Sequence, residues 1–89
     1  MSTYTRIERP AGLPSYGGGT FVYNEARGME YNVHYVEGGQ YYDEEWAKAP
    51  VPCDDGVYLA ATHESVGIVT WFRVNDEGAM WRDILDEEE

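Results

Sequence analysis

The side chains best suited to metal binding or covalent catalysis are few: the sequence has the imidazoles of His34 and His63 and the single thiol of Cys53. Their spacing matches no zinc-ligand pair of the C-x-x-C or H-x-x-x-H kind. A nucleophile pair of Cys53 and His63 would need a thiol with a lowered pKa, whereas acidic neighbours raise it. The sequence therefore predicts neither a zinc site nor a thiol enzyme, and it places His34 on the polar, exposed side of a strand.

Carboxylates are plentiful, but their spacing fits no loop of known chemistry. The segments Asp54-Asp55-Gly56 and Asn75-Asp76-Glu77-Gly78 lack the alternate-residue ligands of a calcium loop and are typical of turns. A carboxylate pair for glycoside hydrolysis would need a substrate cleft, which a chain of 89 residues is not expected to build. The run Gly17-Gly18-Gly19 precedes a predicted strand and has no lysine beside it, unlike a phosphate loop. We therefore expect no cofactor, no metal and no catalytic residue.

Acidity is the property that could determine a partner. Seventeen acidic residues against six basic ones give a net charge of −11 and an isoelectric point near 4.3. Residues 1–42 contribute −1 and residues 43–89 contribute −10. A chain with this charge is repelled by phosphate backbones and anionic lipids, so direct binding to nucleic acid or to a membrane is not expected. Solubility or adaptation to high salt would also explain the excess, since five of the six basic residues are arginine.

Short strands separated by breakers must position these residues. A first strand, Tyr4 to Glu8, is followed by a proline- and glycine-rich segment over residues 10–19 that we expect to be a flexible loop. Residues 20–25 and 29–35 predict a hairpin around the turn at 26–28. Aromatic and β-branched residues fill its first strand, and apolar residues alternate with polar ones in the second.

The second half continues the same pattern. Strands are predicted over residues 57–62 and 66–74, and the second is apolar enough on both faces to lie at the centre of the sheet. After a turn at 75–78, residues 79–85 are predicted to return as a strand. The alternative is a helical turn and a half, because apolar residues also recur there four positions apart.

Residues 43–49 favour a short helix, because Asp43 can cap its start and Pro50 ends it. The alternative is that residues 40–42 form a strand and the rest is an acidic loop. Together these elements predict one domain over residues 1–89, with a mainly β or α+β fold. Its antiparallel sheet would have about four to six strands, with at most one short helix near 43–49.

The acidic clusters of the second half are the predicted binding surface. Carboxylates would steer the protein towards a basic surface over long range, with an affinity that falls as salt rises. Interface hot spots also favour tyrosine and tryptophan, and several lie near these clusters, whereas Trp71 is assigned to the core. Residues 86–89 form an acidic tail. The candidate partner-binding residues are Asp43, Glu44, Glu45, Asp54, Asp55, Asp76, Glu77, Tyr41, Tyr42 and Trp46.

In its size, its acidity and its lack of a catalytic motif, the chain resembles the small acidic inhibitor proteins that phages and bacteria deploy against nucleic-acid enzymes. This type includes anti-CRISPR proteins, anti-restriction DNA mimics and immunity proteins of nuclease toxins, which differ in fold. No motif matches residue by residue, so no functional residue is carried over. The resemblance implies a non-catalytic inhibitor of a basic nucleic-acid-binding protein, such as a CRISPR effector, a nuclease or a restriction enzyme.

A small structural or assembly module of a virion or scaffold is the alternative, with an exposed strand edge that joins a neighbour and an acidity that serves solubility. An enzyme would require His63, Cys53 and a carboxylate to converge in a pocket. The lone cysteine, the lack of a long apolar run and the lack of a signal peptide predict a cytoplasmic protein, in the host cell if phage-encoded. We expect a monomer or a weak homodimer.

Overall fold

The chain forms a sheet of seven antiparallel strands with a helix on one face, as its alternating apolar residues and its turn-forming glycines and prolines favour. The computed structural model describes residues 2–15, 17–42 and 48–86, and these elements lie within them. The elements are β1 (Tyr4–Ile7), β2 (Thr20–Asn24), β3 (Met29–Glu37), β4 (Gln40–Tyr42), β5 (Lys48–Pro50), β6 (Gly56–His63), β7 (Val69–Val74) and α1 (Glu77–Ile84). The small, mainly β or α+β antiparallel fold is confirmed, with seven strands instead of four to six.

The long strand β3 organises the sheet, whose order is β1-β7-β6-β3-β4-β5. One edge of β3 pairs with β6 from Met29 to Val36. Its other edge takes two short partners end to end, β2 along residues 29–33 and β4 at residues 36–37. The prediction that β7 lies at the centre is wrong, because β6 and β3 occupy that place. β7 lies between β1 and β6, and its apolar residues pack on both faces of the sheet, Phe72 on the helix side and Trp71 on the loop side.

The helix covers one face of the sheet. Residues four apart on α1, Met80 and Ile84, are fully buried against Tyr31 and Val33 of β3 and Leu59 of β6. This is the face that the alternation in β3 predicted to be buried. The apolar residues spaced four apart on the helix therefore pack against the alternate apolar residues of the strands in one layer.

Loops cover the opposite face. Leu13, from the segment expected to be a flexible loop, is 1% exposed and packs in a cluster with Val36, Tyr58 and Trp71. Because β3 is covered on this face as well, His34 is fully buried. The prediction of an exposed His34 is therefore wrong. Trp71 is 5% exposed, which confirms its assignment to the core.

Two predicted strands in the second half are corrected. Residues 66–68 belong to the turn before β7, where the N–H groups of Val66 and Gly67 both donate to the carbonyl oxygen of His63. Residues 79–85 lie in the helix or at its C-cap, so the strand prediction is wrong and the helical alternative is correct. The predicted hairpin turn at 75–78 instead starts the helix, because the Asp76 carboxylate caps it.

The segment around residues 40–50 favours the strand alternative. Residues 40–42 form β4, and residues 48–50 form β5, which pairs with it antiparallel from Gln40 opposite Pro50 to Tyr42 opposite Lys48. A helix that reaches residue 49 is therefore wrong. Residues 43–47 lie outside the described residues.

Candidate functional site

Antiparallel pairing brings separate acidic segments to one end of the sheet. The first residues of β6 pair with the end of β3 and with the end of β7. The turn before β6, the hairpin after β3 and the start of α1 therefore lie side by side. The acidic residues of this region, called the acidic end below, are Glu37, Asp54, Asp55, Asp76 and Glu77.

The carboxylate of Asp55 ties two turns of the acidic end together. It accepts hydrogen bonds from the backbone N–H groups of Gly38, at 2.8 Å, and Gly39, at 3.0 Å. These donors sit in the hairpin between β3 and β4, where both glycines adopt positive φ angles. The two bonds lower the pKa of Asp55, so its charge is held in a fixed position without a cation.

Neutral donors also hold the acids at the start of α1. Asp76 accepts a hydrogen bond from the N–H of Ala79 at 3.1 Å, which makes it the N-cap of the helix. Glu77 accepts one from the hydroxyl of Tyr35 at 2.7 Å and one from the indole N–H of Trp81 at 3.2 Å. Burial, and then the bond to Glu77, raise the pKa of Tyr35 to about 12. The phenol is therefore neutral at physiological pH and acts as a hydrogen-bond donor to Glu77.

The remaining groups of the acidic end are two exposed carboxylates and one arginine. Glu37 and Asp54 are exposed to solvent. The guanidinium of Arg73 donates to the backbone oxygen of Asp55 at 2.9 Å and lies 5.5 Å from the ring centroid of Tyr58. Arg73 thus binds a carbonyl oxygen and an aromatic ring, while the carboxylates of Glu37 and Asp54 face solvent.

The two aromatic candidates within the described ranges, Tyr41 and Tyr42, are not exposed anchors. Tyr41 is half-buried and packs against the cluster under the loops, with its ring centroid 6.2 Å from that of His34. Tyr42 is also half-buried. The other candidates of that segment, Asp43, Glu44, Glu45 and Trp46, lie outside the described residues.

The structure thus brings together Asp54, Asp55, Asp76 and Glu77 from the predicted set. It adds Glu37, which sequence reasoning missed because the first half of the chain is nearly neutral. The signal that could have found Glu37 is the Gly38-Gly39 turn beside it, since such a turn predicts a hairpin end.

Thiol and imidazole groups are kept apart. Cys53 precedes β6 and His63 ends it, so the length of that strand separates them. Burial is the main cause that raises the pKa of Cys53, the opposite of what an activated thiol needs. Within the described ranges, no group of three or more His, Cys, Asp or Glu side chains is arranged to hold a metal ion.

No protein-family model, no curated protein and no solved structure matches the chain. Along the described part of the chain, no helix is long and apolar enough to cross a membrane. The geometry of the acidic end therefore carries the functional interpretation.

Proposed function

We propose that the protein is a non-catalytic inhibitor whose acidic end docks on the basic, nucleic-acid-binding surface of a larger protein. The observation that carries this proposal is the convergence of carboxylates from distant segments at one end of the sheet. Asp55, Asp76 and Glu77 are held there by hydrogen bonds from neutral donors.

Ordered carboxylates suit this task. A surface that binds DNA meets one negative charge per roughly 1.7 Å of duplex axis, and it answers with lysine and arginine side chains. Carboxylates that are already ordered lose little conformational entropy when such a surface binds them. The net charge of −11 adds long-range attraction to a basic partner.

The class of partner follows from the same chemistry. A CRISPR effector, a nuclease or a restriction enzyme each presents a basic groove that would accept the acidic end in place of nucleic acid. The resemblance in size and acidity to anti-CRISPR and anti-restriction inhibitors supports this choice. The protein itself is not expected to bind nucleic acid.

The first test combines capture with competition. The immobilised protein should retain a basic nucleic-acid-binding protein from a lysate of its native host at about 0.1 M salt and release it at about 0.5 M, because salt screens the charges. The retained protein should then lose a labelled DNA duplex when the free acidic protein is added. A retained protein that keeps its DNA would contradict the proposal.

Charge reversal locates the surface. Asp54→Lys should weaken binding about tenfold and flatten its salt dependence, because the carboxylate is exposed at the acidic end. Glu25→Lys is the matched control, since Glu25 is exposed in the turn at the opposite end of the sheet and the change in net charge is equal. Equal weakening by the two variants would mean that net charge, and not the acidic end, determines binding.

An assembly module is the second candidate, favoured by the outer face of β2. Phe21 is 54% exposed and Tyr23 is 44% exposed on a strand that, within the described residues, pairs with β3 alone. Exposed aromatic residues on an edge strand are typical of association sites. Sedimentation showing self-association that Phe21→Thr abolishes, with no heterologous partner captured, would favour this candidate.

A further inference from the structure

An open cleft of about 620 Å³ lies at the end of the sheet opposite the acidic end. It forms where β1 leaves β7: the pairing runs from Tyr4 opposite Val74 to Ile7 opposite Trp71 and then stops. Val69 and Thr70 continue β7 beyond the last of these pairs. Because successive residues of a strand direct their backbone groups to opposite sides, one of these two residues presents its N–H and C=O to the cleft.

Two arginines line this cleft, Arg6 and Arg9. A guanidinium nitrogen of Arg9 donates to the backbone oxygen of Leu13, which orders that side chain. Glu8 also lines the cleft, but in the described part of the chain no carboxylate comes within ion-pair distance of either guanidinium. In a chain with seventeen acidic and six basic residues, both arginines are thus available to a ligand.

The rest of the lining is mixed. Ile7 and Trp71 provide an apolar floor, and Ser15 and Thr70 add hydroxyl groups. An unpaired strand segment, an apolar floor and two guanidinium groups are what an extended acidic peptide requires. The strand pairs with its backbone, the floor accepts an apolar side chain, and arginine binds carboxylates through two parallel hydrogen bonds.

We propose that this cleft binds an extended peptide segment with acidic side chains, which adds as a short strand beside Val69 and Thr70 while Arg6 and Arg9 bind its carboxylates. A nucleic acid is a weaker candidate, because its continuous charge is repelled by the rest of a chain of net charge −11. A segment with two carboxylates places its charges at the arginines alone. The proposal does not rest on the proposed function, since the acidic end lies across the sheet and attracts the opposite charge.

The test is a fluorescence anisotropy titration with a labelled pentapeptide, Val-Glu-Val-Glu-Val with an amidated C-terminus, which carries two carboxylates. We expect saturable binding that becomes at least tenfold weaker in the Arg6→Gln/Arg9→Gln variant. Arg82→Gln, an exposed arginine on α1, is the control for a lost positive charge and should leave the affinity within twofold. A double variant that binds as tightly as the natural chain would overturn the proposal.

Three measurements on the unaltered chain keep the test independent of variant folding. The same peptide with lysine in place of glutamate should not bind, and equal binding would overturn the role of the arginines. A single-stranded DNA hexamer should bind at least tenfold more weakly than the acidic peptide, and equal affinity would assign the cleft to polyanions. Amide exchange of Val69 or Thr70 should slow on saturation with the peptide, and binding without that protection would overturn the added strand.

Discussion

At the scale of single residues, His34 is the least conventional side chain of the fold. It is fully buried, and among the described residues neither ring nitrogen has a hydrogen-bond partner. Its ring centroid lies 5.3 Å from that of Trp71. Burial lowers the pKa of His34 to about 4, because the loss of solvation disfavours the charged imidazolium.

This burial predicts a specific loss of stability in mild acid. Below about pH 6.5 the imidazole takes up a proton in the unfolded chain but not in the fold, so the free energy of unfolding decreases until about pH 4. The shift corresponds to about 3 kcal/mol across that range. Urea unfolding at several pH values should show this decrease in the natural chain and a smaller one in His34→Leu. Parallel profiles for the two proteins would contradict the prediction.

The sequence could not predict the burial of His34, because only one face of β3 shows its burial in the residue pattern. The alternation in β3 correctly identified Tyr31 and Val33 as buried, since apolar residues on one face require a cover. The polar residues on the other face do not predict that Leu13, well before β3 in the sequence, packs on that face. The carboxylate of Asp55 is a similar case, because its donors come from a separate hairpin.

At the scale of elements, residues 10–15 and 17–19 cover one face of the sheet, and two of the glycines there differ in how closely they approach it. A Cβ on Gly19 would lie 2.3 Å from the carbonyl oxygen of Val33 and 3.0 Å from a ring nitrogen of His34, whereas one on Gly17 would meet nothing within 4 Å. Both residues have positive φ angles, 69° and 79°. The close approach of backbone to backbone at Gly19 thus fixes the loop on the sheet.

These two glycines predict a matched pair of variants. Gly17→Ala should lose only the cost of a left-handed residue, about 1–2 kcal/mol. Gly19→Ala should lose clearly more, because the loop or β3 must also shift. Thermal or urea unfolding measures both, and equal losses would contradict the idea that the cover depends on contact at Gly19.

Elements whose own sequence carries a strong signal were predictable, and an element that forms only through its partner was not. The hairpin of β2 and β3 was predicted correctly because its turn and its alternation are contained in its own sequence. The apolar residues of 79–85 fit both the alternation of a strand and the four-residue spacing of a helix. The N-cap hydrogen bond of Asp76 favours the helix. β5 escaped prediction because a segment of lysine, alanine and proline has little strand propensity and forms by pairing with β4.

At the scale of the whole molecule, the net charge of −11 acts against the fold. The acidic end places like charges together, and neutral donors hold three of its carboxylates there. Stability should therefore rise when salt screens this repulsion.

We expect the melting temperature to rise by several degrees between about 0.02 M and 0.5 M sodium chloride, because about 1 kcal/mol shifts a domain of this size by about 4–8 °C. Asp54→Asn should stabilise the protein at low salt and have little effect at high salt. Differential scanning calorimetry measures both effects. A melting temperature that falls with salt would show that attractive ion pairs outweigh the repulsion.

The partners of β1 lie far along the chain, so the ribosome synthesises them seconds after β1. The hydroxyl of Tyr4 donates to Asp83, a partner 79 residues later in the chain. At roughly 5–20 residues per second, synthesis leaves β1 without that partner for about 4–16 s. The central strands β3 and β6 emerge before the helix that covers them, so their apolar face is open to chaperones until α1 is complete.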